Sequence, residues 1–267
     1  MIAIIPARGG SKRIKNKNIK IFIGKPIIYW SIKTAINSKI FDKVVVSTDS
    51  EKIKAIAEKF GATVPFLRPK KLSDDFTPTR DVIKHAINFV SKNSEVDEDF
   101  CCIYPTSPLL EKKTLINSYK IFKKYKKKKY IFSAVKFSYP VQRGFDINKK
   151  NKITPMFKKF FKKRSQDLSE IYHDAGQFYM GSVEMIKKNI NIFSNEAYPI
   201  VLSENLVQDI DSMTDWKIAE IKFKSNLNNW KQYFSDLILV QKLVMGTSKD
   251  VQYLLKNSSK KVIDAFC

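Results

Sequence analysis

The sequence predicts an α/β fold in which helices cover both faces of a mostly parallel sheet. Short apolar runs rich in β-branched residues recur along the chain, and longer stretches with apolar residues at helical spacing separate them. This alternation is typical of βαβ units. The chain has 267 residues, of which 43% are hydrophobic, so one main domain with an appendage is expected.

The elements follow in chain order. Strands are predicted over 2–5, 44–47, 64–67, 100–104, 131–135, 177–180 and 199–202. Apolar residues at helical spacing predict helices over 27–36, 53–60 and 82–90. A further helix is predicted over 212–222, because Ser212 and Asp215 form a Ser-x-x-Asp capping pattern.

The alternation of predicted strands and helices ends near residue 137. Pro140 and Pro155 interrupt a lysine-rich stretch that has neither a helical nor a strand period. We therefore predict an inserted lobe over 137–172 within a main domain spanning 1–224. The remaining segment, 225–267, is predicted to be a helical C-terminal extension.

The chain is strongly basic, with 49 Lys and Arg against 26 Asp and Glu and a net charge of +23. Such a charge attracts nucleic acids, membrane surfaces and small anions alike, or it is simply a solvated surface. No nucleic-acid-binding signature is visible, and no apolar run approaches the roughly 18 residues of a membrane span. The three cysteines form neither a disulfide framework nor a metal-ligand pattern, so we expect a cytoplasmic protein without nucleic-acid or membrane partners.

A basic, glycine-containing loop follows the first predicted strand. It reads Pro-Ala-Arg-Gly-Gly-Ser-Lys-Arg over 6–13, and Lys17 and Asn18 follow it. Glycines permit close backbone approach and unusual dihedral angles, while Arg8, Lys12 and Lys17 supply charge for phosphate oxygens. The loop is therefore predicted to bind phosphates.

Two common phosphate motifs do not fit this loop. A Walker A loop needs an earlier glycine at a fixed spacing, and a dinucleotide fingerprint needs a third glycine after Gly10. Asp49, at the end of the second strand, leaves a dinucleotide site as a weak alternative. A basic surface loop without a ligand is the other alternative.

The loop resembles the N-terminal signature of the CMP-sugar synthetases, which activate sialic, legionaminic, pseudaminic and ketodeoxyoctonic acids. Similar blocks follow in order. They are Arg68-Pro69, Leu72-Ser73-Asp74-Asp75, Thr77-x-Thr79 and Tyr104-Pro105-Thr106-Ser107-Pro108. In the second half, Gln142-Arg143, the blocks 164–168 and 172–179, and Gln208-Asp209-Ile210-Asp211 are similar to the pseudaminic acid branch. The resemblance covers roughly 1–224 and implies a Rossmann-like fold of the nucleotide-diphospho-sugar transferase type.

The resemblance implies that a sugar hydroxyl attacks the α-phosphorus of CTP, with Mg²⁺ as cofactor. Arg8, Ser11, Lys12 and Lys17 would then hold the triphosphate, with Arg8 and Lys17 as the principal catalytic candidates. Contacts with cytosine or ribose would come from Asn18, Arg68, Thr106 and Ser107.

The spacing of Asp209 and Asp211 suits a metal ion, because residues two apart in an extended segment share one face. The alternative is that Asp211 only supports the helix that starts after it. The resemblance favours Mg²⁺ binding by both carboxylates, with Asp211 catalytic.

The sugar is predicted to be a nine-carbon acid whose carboxylate meets Arg164 or Arg143, since a guanidinium can contact a carboxylate at two points. Either arginine could instead be a surface charge. Gln177 is a further substrate-binding candidate. Tyr104 stands where sialic-type enzymes usually have glutamine, which favours pseudaminic acid over sialic or legionaminic acid as the alternatives. The resemblance also implies a homodimer that associates through the lobe.

Overall fold

The computed structural model describes residues 1–91 and 99–227. The strands are β1 (Ile2–Pro6), β2 (Ile21–Phe22), β3 (Lys25–Pro26), β4 (Lys43–Ser47), β5 (Phe100–Ile103), β6 (Tyr130–Lys136), β7 (Phe145–Ile147), β8 (Ile153–Pro155), β9 (Tyr172–Gly181) and β10 (Ala197–Leu202). The helices are α1 (Ile27–Ser38), α2 (Glu51–Lys59), α3 (Thr79–Ser91), α4 (Lys112–Lys124), α5 (Val183–Lys187) and α6, described over 213–227.

Six strands form the central sheet in the order β10-β6-β9-β5-β1-β4. β1 pairs in parallel with β4 and β5, and β10 pairs in parallel with β6. Only β9 runs against its neighbours β5 and β6 in this sheet. The prediction of a mostly parallel sheet is confirmed.

Both faces of the sheet are buried. Ala3 and Ile5 of β1 pack on one face with α1, α2 and α4, while Ile2 and Ile4 pack on the other with α3 and α5. This alternation is what an extended strand imposes on its side chains. The helices predicted over 27–36, 53–60 and 82–90 correspond to α1, α2 and α3. No described helix combines the length and the apolarity needed to cross a bilayer.

The strand predicted over 64–67 is wrong. Around this segment the chain makes only two isolated bridges, between Thr63 and Val45 and between Leu67 and Thr48. Pro65 has no N–H group to donate to a ladder, which explains why the apolar run does not continue the sheet.

A lysine-rich segment connects β6 to β9 and contains the small antiparallel ribbon of β7 and β8. It leaves the sheet after Lys136 and returns at Tyr172, and these two residues pair with each other. We call residues 137–171 the lobe. Several of its apolar side chains are exposed: Tyr139, Phe145, Ile147, Ile153, Met156, Phe157 and Phe161.

Helix α6 holds the end of the described chain against the domain. Its Trp216 and Phe223 are buried and pack edge-on against Phe22. The predicted cap is confirmed: the Ser212 hydroxyl accepts from the Asp215 backbone N–H at 3.2 Å, and the Asp215 carboxylate accepts from the Ser212 N–H at 2.7 Å. Beyond 227, the predicted C-terminal extension lies outside the described residues.

Candidate active site

A cleft of about 270 Å³ opens at the carboxyl ends of β1 and β5. Three segments line it: the loop after β1, the segment leading into α3, and the turn after β5. Ligands of open α/β sheets bind outside the carboxyl ends of the strands, so this is the expected place for a substrate. The sequence-predicted residues on its wall are Arg8, Ser11, Lys12, Lys17, Asn18, Arg68 and Thr106.

The loop after β1 is held from two sides. The Gly9 N–H donates to the Asp49 carboxylate at 2.8 Å, and the buried Asn18 side chain donates to the Arg8 carbonyl at 2.9 Å. A Cβ on Gly9 would lie 3.2 Å from Ser50 Cβ, whereas a Cβ on Gly10 would meet nothing within 4 Å. Neither glycine has a positive φ. Close packing against Ser50, rather than an unusual dihedral angle, therefore explains why position 9 is a glycine. Asp49 supports the loop through its hydrogen bond to the Gly9 N–H.

The basic side chains of the loop are paired with acids in two groups. Arg8 and Lys12 each contact the Asp75 carboxylate at 2.5 Å. Arg13 contacts Asp211 at 2.5 Å, and Lys17 reaches the same carboxylate at 3.5 Å. The loop therefore presents four cations around the cleft, each oriented by a carboxylate.

The Lys17 ammonium also donates to the Ile210 carbonyl at 2.6 Å. Ile210 is buried beside Trp216 of α6, so Asp209 and Asp211 project from the opposite side of this segment. The two aspartates do not line the cleft, but Asp211 contacts Arg13 and Lys17, which do.

Asp209 is electrostatically unfavourable as an anion. Although the residue keeps part of its surface exposed, partial desolvation of its carboxyl and the charge of Asp211 raise its pKa, against the opposing effects of Lys17 and Arg13. A divalent cation held by these carboxylates would offset that penalty. No three His, Cys, Asp or Glu side chains cluster as a metal site in 1–91 and 99–227, and Mg²⁺ commonly uses one or two carboxylates with water and substrate phosphates. The pair therefore fits Mg²⁺.

Arg68 and Ser107 are both buried. The Arg68 guanidinium lines the cleft and donates to the Ser73 hydroxyl at 3.0 Å, and burial lowers its pKa. Ser107 does not line the cleft, and its hydroxyl is 3.5 Å from the Gly176 carbonyl. Through this contact Ser107 supports the turn that carries Thr106.

Three predicted substrate residues are not brought to the cleft. Arg164 pairs with Asp167 at 2.9 and 3.2 Å on the lobe, and Arg143 donates to the Lys163 carbonyl there. Gln177 is buried in β9, where its amide donates to the Leu206 carbonyl at 2.5 Å. None of the three lines the cleft within the described chain.

Sequence reasoning missed a partly buried hydrogen-bonded chain that starts at the cleft wall, where Thr79 and Tyr104 lie. The Tyr104 hydroxyl lies 3.3 Å from the Thr79 hydroxyl and interacts with that of Tyr179, which donates to the Asp174 carboxylate. Burial raises the pKa of both tyrosines, so both stay protonated. The residues lie in the recognised blocks, but their contacts join three segments that are distant in sequence, the start of α3, the turn after β5 and β9.

Asp75 and Arg13 were also missed as site residues. Both lie inside motifs that the sequence analysis quotes, the block Leu72-Ser73-Asp74-Asp75 and the loop over 6–13, but neither was given a role. Their partners, however, come from other segments of the chain, and no local pattern indicates such a pairing.

Comparison with known proteins gives consistent results. The family model described as Cytidylyltransferase matches residues 2–238. A pseudaminic acid cytidylyltransferase of Campylobacter jejuni is 44% identical over 225 residues, which cover 84% of this chain and 97% of that protein. A CMP-N,N'-diacetyllegionaminic acid synthase of Legionella pneumophila is 32% identical, with 82% of this chain and 94% of that protein covered.

Among solved structures, CMP:2-keto-3-deoxy-manno-octonic acid synthetase complexed with CTP superposes with a TM-score of 0.60 at 13% identity. The superposition covers 84% of this chain and 98% of that chain. This likeness confirms the predicted fold class.

Proposed function

Because the chain belongs to the cytidylyltransferase family, we propose that it transfers CMP from CTP to pseudaminic acid. The observation that carries the proposal is the convergence of Arg8, Lys12 and Lys17 on one cleft at the end of β1. Identity is 44% to a relative that is a pseudaminic acid cytidylyltransferase and 32% to a legionaminic acid synthase, which supports pseudaminic acid as the acceptor.

In the proposed reaction the oxygen at the anomeric carbon of the sugar forms a bond to the α-phosphorus of CTP. The bond from that phosphorus to the oxygen bridging it to the β-phosphate breaks, pyrophosphate leaves, and the hydroxyl proton passes to solvent or a base. Such a transfer depends mainly on positioning and on neutralising charge. Arg8, Lys12 and Lys17 supply that charge, and Ser11 offers a hydroxyl at the same wall.

The nucleoside end is assigned to other residues of the same cleft. Asn18, Arg68 and Thr106 line it and would contact cytosine or ribose. Arg68 is fixed by burial and by its bond to Ser73, so it offers a donor in one orientation. Ser107 acts by holding the turn.

Asp209 and Asp211 would hold Mg²⁺. When bound, the ion neutralises phosphate charge and polarises the phosphorus centre. Lys17 joins this pair to the cleft, because it contacts both Asp211 and the Ile210 carbonyl. These contacts support a metal site beside the proposed triphosphate site.

The lobe is assigned to homodimer formation. Its exposed apolar side chains, including Ile147 at 63% and Met156 at 60% exposure, would be covered by a second copy. Arg164 and Arg143 remain our candidates for the sugar carboxylate, which requires the lobe to approach a cleft in the dimer. We assign the reaction to the cytoplasm, where the buried, unpaired Cys101 and Cys102 remain reduced.

The proposal is tested by pyrophosphate release from CTP and Mg²⁺ with pseudaminic, legionaminic or sialic acid supplied one at a time. Release with pseudaminic acid alone is expected. Release with only one of the other sugars would reassign the acceptor, and no release with any of them would overturn the activity.

A further inference from the structure

Asp75 stands between two cations of the candidate phosphate site, Arg8 and Lys12. One of its carboxylate oxygens contacts the Arg8 guanidinium and the other contacts the Lys12 ammonium, each at 2.5 Å. A single carboxylate therefore fixes two cations that both line the cleft.

The two cations differ in how much they need this support. The Lys12 side chain is 79% exposed, and a lysine in that setting samples many rotamers unless its ammonium is bound. Arg8 is 33% exposed, and its second terminal nitrogen donates to the Asp74 carbonyl at 2.7 Å. Residues 74 and 75 thus hold both terminal nitrogens of the Arg8 guanidinium and the Lys12 ammonium.

Asp75 is itself carried by an ordered turn. The neighbouring Asp74 carboxylate accepts from the Phe76 N–H at 3.0 Å, the Thr77 N–H at 2.7 Å and the Thr77 hydroxyl at 2.6 Å. The turn connects to the cleft wall through Ser73, whose hydroxyl accepts from the buried Arg68. Asp75 is therefore presented from a fixed backbone.

The contacts leave donors available for a ligand. Arg8 has five N–H donors and Lys12 has three, and Asp75 and the Asp74 carbonyl use only part of them. A phosphate can therefore bind both cations while Asp75 remains in place. Lys12 and Arg8 also lower the pKa of Asp75, so its carboxylate stays charged at neutral pH.

We propose that Asp75 is a positioning residue that holds Arg8 and Lys12 as a preorganised pair for neighbouring phosphate groups of the nucleotide. The inference rests on the proposed function, because it takes CTP as the ligand. Preorganised groups bind more tightly than mobile ones, since less conformational freedom is lost on binding. A pair of fixed cations favours a triphosphate over a monophosphate.

A carboxylate that competes with phosphate would have the opposite effect on CTP affinity. If Asp75 only occupied the phosphate site, removing its charge would free Arg8 and Lys12 and tighten CTP binding. The sign of the change in affinity therefore decides between a positioning residue and a competing anion.

The test is calorimetric titration of wild type, Asp75→Asn and Asp81→Asn with CTP and with CMP. Asp81→Asn is the matched control, because it removes the same charge from the exposed first turn of α3 and leaves the Asp75 contacts intact. We expect Asp75→Asn to weaken CTP binding about tenfold relative to Asp81→Asn and CMP binding about threefold or less. Equal losses for both nucleotides, no loss, or tighter CTP binding would overturn the inference.

A double-mutant cycle gives a second readout that a purely structural role would not produce. In a Lys12→Ala background, Asp75→Asn should weaken CTP binding by clearly less than it does in wild type, because one of the positioned cations is already absent. Additive losses would contradict the inference. Failure of wild type to bind CTP would instead refute the proposed function, so the two failures are distinguishable.

Discussion

Replacing Asp211 by asparagine separates a metal ligand from a residue that merely supports α6. The carboxylate of Asp211 contacts Arg13 and Lys17, while the cap of α6 is made by Ser212 and Asp215. Asp211→Asn keeps the size of the side chain and removes its charge. It should therefore impair the reaction and leave the cap intact.

The expected magnitudes differ for the two roles. Loss of a charged ligand for Mg²⁺ should lower kcat at least about 100-fold, which is about 2.7 kcal/mol in activation free energy. The Asp211 side chain is 36% exposed, so its ion pairs contribute no more than about 1 kcal/mol to folding. Asp215→Ala removes three hydrogen bonds to Asp211 N, Ser212 N and Ser212 Oγ. Loss of such a cap should destabilise by about 1–2 kcal/mol.

The assays are steady-state turnover, thermal unfolding and calorimetric titration of CTP with and without Mg²⁺. We expect Asp211→Asn to lose the Mg²⁺-dependent part of CTP affinity and most turnover while its Tm changes little. Asp215→Ala should show a lower Tm with turnover largely kept below that temperature. An Asp211→Asn variant with near-normal kcat and Mg²⁺ dependence would refute the metal assignment.

Three further predictions concern stability. Gly181→Ala should destabilise by about 1–3 kcal/mol, because its Cβ would lie 2.5 Å from a tyrosine ring carbon; Gly10→Ala, with nothing within 4 Å, is the control, and equal Tm values would contradict this. Tyr179→Phe should lower the free energy of unfolding by about 1–3 kcal/mol, measured by urea titration, because Asp174 loses its hydroxyl donor; an unchanged midpoint would count against it. Since the pKa of Asp209 is raised in the fold, ionisation of this carboxyl disfavours folding. Without Mg²⁺, the Asp209→Asn variant should therefore have a higher Tm than wild type at neutral pH. The difference in Tm should shrink on acidification, and a difference that stays constant with pH would argue against this cause.

Much of the fold could be predicted because its signals are local. Apolar spacing located α1, α2 and α3, and Ser212 with Asp215 located the start of α6. The direction of β9 could not be predicted, since periodicity identifies a strand but not its neighbours. β9 also extends beyond its predicted core of 177–180. Gly176, whose φ is 62°, interrupts the strand pattern there, and the pairing with β6 shifts register beside it.

The candidate site, like the fold, was predictable where its residues lie in one local motif. Arg8, Lys12 and Lys17 share one loop, and the resemblance of that loop carried their assignment. The Asp75 contacts could not be foreseen, because they join segments brought together only by the sheet. Arg164 was assigned from its charge and its motif, and neither indicates where the lobe lies relative to the cleft.

The connection of the lobe to the sheet bears on how such proteins diversify. Lys136 and Tyr172 are paired neighbours, so the intervening chain starts and finishes at one point on a rigid base. Doubling the length of a flexible loop closed at such a base changes its closure free energy by only about 0.6 kcal/mol. The lobe can therefore be lengthened, shortened or exchanged while the sheet and the nucleotide cleft keep their geometry. The assembly and acceptor roles that we propose for the lobe can in this way change while the sheet stays the same.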